Sequence, residues 1–157
     1  MALRDQTPDG RPQFEDADVP CLQLCVLTGR FDDGTLLQVG TDQDDDVWGL
    51  RLRSAAGDEH AAADGIYRSR ALTELPTGEV VSVSVWADHG VLAEVLLRFR
   101  GRPLLLVAGE LEEDRDHRLW YHRLDESVLA FTDPSAAGSI HWIPERHRLR
   151  ELTGGAT

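Results

Sequence analysis

The chain has 157 residues, a hydrophobic fraction of 41%, a charged fraction of 28% and a formal net charge of −12. A chain of this length buries roughly 68–70% of its unfolded surface, so one domain forms without disulfides or a metal, and wholesale disorder is excluded. The negative field argues against nucleic acid and anionic membranes as partners and favours basic ones.

The segment 1–19 carries Pro8, Gly10, Pro12 and the acids Asp5, Asp9, Glu15, Asp16 and Asp18. It reads as a flexible acidic arm with no apolar stretch of the signal-peptide kind. A single folded domain is expected over 20–149, followed by a flexible tail over 150–157. Residues 21–28 form an apolar run that predicts a strand. The Asp33–Gly34 turn signal then separates it from a second strand over 36–39. Residues 41–46 are acidic and read as a loop, and 47–53 alternate as a third strand. The stretch 54–78 is ambiguous, with one short helix expected over 59–63 or 69–75 before Pro76 and Gly78.

Residues 79–86 give the clearest strand signal, with Val81, Val83 and Val85 on one face and Ser82, Ser84 and Trp86 on the other. Asp88–Gly90 makes a turn. Strands over 91–99 and 104–107 flank a hairpin turn at 100–103. Residues 110–116 are acidic and read as a loop or hairpin tip. Residues 118–124 and 127–132 are expected to form a last hairpin around Asp125–Glu126. A short strand over 140–143 precedes Pro144, and a helical turn is expected over 146–152. The fold class is therefore mostly β, or α+β at most. The expected architecture is a single antiparallel sheet, half-barrel or small barrel of about eight strands with one or two short helices.

Motifs that carry chemistry are mostly missing. The sequence has no phosphate-binding loop, dinucleotide fingerprint, nucleophile elbow or paired-histidine zinc motif. Cys21 and Cys25, on a strand, lie about 13 Å apart at roughly 3.3 Å per residue, too far for a disulfide. They read as reduced core residues, which suits a cytoplasmic protein. Asp42, Asp44, Asp45 and Asp46 resemble the start of a calcium loop, but Val47 and Arg53 stand where that loop needs Gly and Glu. No metal and no cofactor is expected. All 16 basic residues are arginine, with no lysine and no asparagine. That is the composition of a GC-rich, bacterial genome.

Two acidic clusters remain, Asp42, Asp44, Asp45 and Asp46, and Glu110, Glu112, Glu113, Asp114 and Asp116. Dense negative charge of this kind steers fast association with a basic protein. Trp86, on the face opposite the valines, is either covered by a second layer or an exposed contact residue. Arg98, Arg100 and Arg102 share a face that could bind an anionic ligand, and the favoured expectation is that they pair with the acidic loops. On a strand followed by a turn, His122 and Asp125 are expected on opposite faces. The residues Ala108–Asp114, Asp125–Leu129 and Trp142 give a stretch that resembles small bacterial immunity proteins, the partners of toxins. The resemblance implies a binding role and carries no catalytic residue.

The leading expectation is thus a non-catalytic acidic binding protein of the immunity or accessory type, monomer or homodimer, engaging a basic protein partner through the two clusters and Trp86. An alternative is a small β-barrel enzyme of the cyclase or isomerase kind, with His122, Tyr121, Asp125 or His141 in an apolar pocket. A further alternative is a structural or scaffolding subunit associating through strand edges.

Overall fold

A computed structural model describes residues 2–7, 18–55, 68–146 and 149–152. In chain order the elements are β1 (Ala2–Thr7), β2 (Leu22–Leu24), β3 (Leu27–Arg30), β4 (Leu36–Asp44), β5 (Val47–Ala55), β6 (Arg68–Ala71), β7 (Val80–Asp88), β8 (Val91–Phe99), β9 (Pro103–Glu113), β10 (Leu119–Phe131), α1 (Pro134–Ser139), β11 (Trp142–Ile143) and β12 (Arg150–Glu151). The mostly-β class with one short helix is as the sequence indicates. The strands divide between two sheets and do not close into a barrel. Sheet A has the order β5-β4-β3-β1-β6, and sheet B the order β11-β10-β9-β8-β7-β12, with β2 also on β10. All pairings are antiparallel except the parallel β10–β11 pair.

Several local expectations change once tertiary pairing is available. The run 21–28 is not one strand: it breaks at Cys25 and Val26, so that β2 joins sheet B and β3 joins sheet A. Ala2–Thr7, inside the stretch read as an arm, form β1 between β3 and β6, where backbone ladders on both edges order a polar segment. Helix was expected over 59–63 or 69–75; the former lies outside the described residues, and Arg68–Ala71 pair with β1 as a strand. The expected helical turn over 146–152 contains the two-residue strand β12, whose backbone ladder to β7 replaces helical bonding. The helix α1 was missed although its signals are local. Asp133 is its N-cap, accepting a hydrogen bond from the Ser135 amide at 2.9 Å, and Pro134 opens the first turn.

The central strands of sheet B are covered on both faces. Its inner face meets sheet A through Val95, Phe99, Leu104, Leu106, Val128 and Ala130, packed against Leu27, Val39 and Leu50. The outer face carries Leu96, Leu105, Val107, Leu129 and Phe131 under Ala137 and Trp142. Each fully buried Val, Leu or Phe among them contributes about 1.5–3 kcal/mol. Two-sided burial explains why β8, β9 and the second half of β10 read as continuous apolar runs rather than alternating ones. In β7 the register slips by one residue between Val80 and Ser82. This bulge at Val81 puts Val80, Val83 and Val85 opposite Phe99, Leu97 and Val95, and leaves Val81 out of the expected valine face.

Under the outer layer lies a quartet of charges. Arg146 clasps Glu94 through Nε–Oε1 at 2.8 Å and NH2–Oε2 at 2.5 Å, and its NH1 donates to the Ala137 carbonyl at 3.1 Å. The Arg123 NH2 lies 3.1 Å from Asp88 Oδ2, with both side chains almost wholly buried, and its NH1 donates to the Glu145 carbonyl at 3.0 Å. Burial pushes the Arg123 guanidinium below its ordinary range, and the carboxylates of Glu94 and Asp88 oppose that shift. Two acids and two bases cancel in charge, and arginine forks suit such sites. The quartet fastens residues 137–146 to sheet B.

Arg123→Met leaves Asp88 and Glu94 facing Arg146 alone and is expected to lower unfolding free energy by about 3–5 kcal/mol. Asp88→Leu combined with Arg123→Met removes both charges and should recover most of that loss. Urea denaturation of the three proteins checks both statements; equal losses in the single and double variants would contradict them.

Candidate functional site

The segment 119–131 was expected to turn back at Asp125–Glu126. Instead it is one strand of 13 residues that stays beside β9. Arg123 pairs with Gly109 and Val128 with Ala108, so residues 124–127 are extruded as a bulge. Leu124 takes a left-handed φ of 57° to allow this. Gly109 lies so close to the neighbouring strand that a Cβ there would collide with the His122 carbonyl. The buried Gln23 side chain bridges the two strands here. Its Oε1 accepts from the Leu111 amide at 3.0 Å and its Nε2 donates to Ser127 Oγ at 3.3 Å. Leu124 and Ser127 are buried, whereas Asp125 is half-buried and Glu126 exposed.

Beyond the bulge, the inner face of sheet B runs out from under sheet A. Cross-strand partners share a face, so Glu110 stands beside His122, Glu112 beside Trp120, and Ile143 beside His122. Trp120 is 39% exposed and Ile143 37%. Together with Asp125 and Glu126 these side chains make a ledge bordered by β4, whose Thr41 hydroxyl donates to the Glu126 carbonyl. Burial, followed by the carboxylates of Asp125, Glu126 and Glu112, pushes the Glu110 carboxyl above its usual range, and only His122 acts the other way. The His122 Nε2 lies 3.5 Å from Glu112 Oε2. His122 and Asp125, expected on opposite faces, thus both act on Glu110, because the bulge changes where residue 125 sits.

The expected site residues are distributed unevenly. Glu110 and Glu112 lie on the ledge. Glu113 faces the other way and pairs with His117. Asp114 organises the β9–β10 turn: its Oδ1 accepts from the amides of Asp116 at 2.8 Å and Arg118 at 2.9 Å, and its Oδ2 from the Trp120 indole at 3.1 Å. These donors hold its carboxyl below the usual range, the Arg118 amide most of all. Asp116 is exposed beside it. Asp42 pairs with Arg51, and Asp44, Asp45 and Asp46 are exposed at the β4–β5 turn. Trp86 is half-buried against the outer-face core. Trp120, the aromatic on the ledge, was missed; its i, i+2 spacing from His122 was the available signal.

Other features carry different roles. Arg100 pairs with Glu79 rather than with either acidic loop, because the two residues meet at the open end of the β7–β8 hairpin. Cys21 is buried and Cys25 half-buried, and burial pushes the Cys21 thiol up to about 12. A cavity of about 440 Å³ lies among Leu72, Leu75, Pro76, Phe99 and Arg102, and another of about 410 Å³ among Asp42, Asp44, Gly49, Arg51 and Val91. Neither is lined by His122, Tyr121, Asp125 or His141. Among the described residues no three His, Cys, Asp or Glu are grouped to hold a metal ion, and no helix is long and apolar enough to cross a membrane. The chain matches no protein-family model, no curated protein and no solved structure.

Glu110 ionises less readily in the folded chain than in the unfolded one, so its penalty is absent well below pH 4.5 and complete above its raised folded value. Glu110→Gln is therefore expected to stabilise the protein at pH 7 by about 0.5 kcal/mol. The gain should vanish as the pH falls below 4.5, the ordinary value of that carboxyl. Urea midpoints of the two proteins from about pH 3.5 to about pH 7 measure the gain; one that is independent of pH contradicts the assignment.

Proposed function

We propose that this chain is a non-catalytic binding protein, of the immunity or accessory type, that engages a basic protein partner through the ledge of Glu110, Glu112, Asp125 and Glu126. The supporting observation is how the arginines are distributed. Arg51, Arg70, Arg100, Arg123 and Arg146 pair with Asp42, Glu74, Glu79, Asp88 and Glu94. No arginine among the described residues pairs with the four ledge carboxylates. Like charges that repel within the free protein are relieved when cations approach, and this favours a basic surface over every anionic one. The exposed acids of the β4–β5 turn extend the same field and steer encounter. The cytoplasm, where the thiols of Cys21 and Cys25 stay reduced, is the compartment this reading assigns.

The test is capture from an extract of the native host, with the wild-type chain and the variant Glu110→Gln/Glu112→Gln/Asp125→Asn/Glu126→Gln as baits. A basic protein should be retained by the wild type at low salt and lost as ionic strength passes about 0.5 M, where the Debye length falls to roughly 4 Å. The variant should bind it at least about tenfold more weakly. A partner that both baits hold equally, at every salt concentration, would overturn the proposal.

A further inference from the structure

We infer that Trp120 is a platform on which an arginine side chain of the basic partner stacks, so that the ledge selects arginine over lysine. The inference rests on the binding role proposed above and names the chemistry of its contact. The observations behind it concern the sheet face rather than its charge alone. Trp120 is 39% exposed on a β-sheet face, and the other exposed apolar side chain there, Ile143, is the partner of His122 one strand away. The indole is held by its edge, since its N–H donates to Asp114 Oδ2 at 3.1 Å, and that carboxylate is itself fixed by the amides of Asp116 and Arg118. A ring fixed in this way loses little rotamer freedom when a ligand stacks on it.

The cross-strand partner of Trp120 is Glu112. Directly opposed side chains start about 4.5–5.5 Å apart at Cβ, so one planar guanidinium can lie against the indole and reach the Glu112 carboxylate. An ammonium group has no plane to stack and keeps more of its water, which is the source of the selectivity. Glu110, Asp125 and Glu126 supply charge for further basic residues of the same segment. A second copy of this chain is disfavoured as the occupant, because two ledges of the same sign repel and each chain carries a net charge of −12.

The probes are acetylated tetra-arginine and tetra-lysine peptides, titrated against the full chain at fixed salt. The wild type is expected to bind the arginine peptide about two- to fivefold more tightly, the equivalent of ~0.5–1 kcal/mol for an exposed cation–π contact. Trp120→Leu should abolish that preference and Trp120→Phe should keep most of it. The indole N–H resonance of Trp120, identified by its loss in Trp120→Phe, should move with the arginine peptide in the intact chain. Equal affinity for the two peptides, or a preference that survives Trp120→Leu, overturns the inference. Glu110→Gln/Glu112→Gln separates it from the binding role. Weakening of both peptides supports the charged ledge whatever Trp120 does, and unchanged affinity for both removes the ledge as the site while the Trp120 variants still decide the stacking.

Discussion

The four-residue bulge in β10 is the constraint on which the arrangement of this molecule depends. One strand has to serve as neighbour to β9 along its whole length, to β2 at residues 128–130 and to β11 at residues 121–122. A regular strand presents one continuous edge. The extruded residues 124–127 separate the two halves of β10, with β11 paired before them and β2 after them. The interruption of the ladder is made good by Gln23, a buried amide that satisfies the Leu111 amide and the Ser127 hydroxyl. The same extrusion lifts Asp125 and Glu126 beside Glu110. Structural accommodation and charge crowding therefore have one cause.

Charge is distributed in two regimes. Inside, Asp88, Arg123, Glu94 and Arg146 form a neutral set that fixes the outer covering segment to sheet B. Such a set contributes little net stability against an apolar replacement, but it is costly to leave incomplete. Outside, Arg51, Arg70 and Arg100 are engaged with acids other than those of the ledge. The four ledge carboxylates are left without an arginine partner among the described residues. A protein with the same composition but a different pairing of arginines would have the same net charge and no comparable locus.

The parts of the fold legible in the sequence were those fixed by local chemistry. The turn at Asp33–Gly34, the hairpin at 100–103, the turn at Asp88–Gly90 and the strands they join follow from backbone preference and apolar patterning. The placement of Trp86 on the face opposite Val83 and Val85 was also legible, and so was the question of whether a second layer covers it; only the packing of Ala137 and Trp142 on that face answers it. Glu110 and Glu112 were recognisable as acids near a hairpin tip. Their company was not, because the cross-strand register that sets Trp120 and His122 beside them is a property of the pair of strands, not of either one.

By itself, then, the sequence determined a mostly-β chain with a large negative charge and two clusters of acids. Composition and short-range pattern act on each segment separately, and so they survive without knowledge of the partners. Only the tertiary structure decided that a run of apolar residues at 21–28 divides between two sheets, that 119–131 is one bulged strand rather than a hairpin, and that Asp125 and Glu126 face Glu110. Each of these depends on which edge a strand finds free and in what register it docks. Those choices are settled by burying both faces of the central strands of sheet B at once, a demand that no single segment carries.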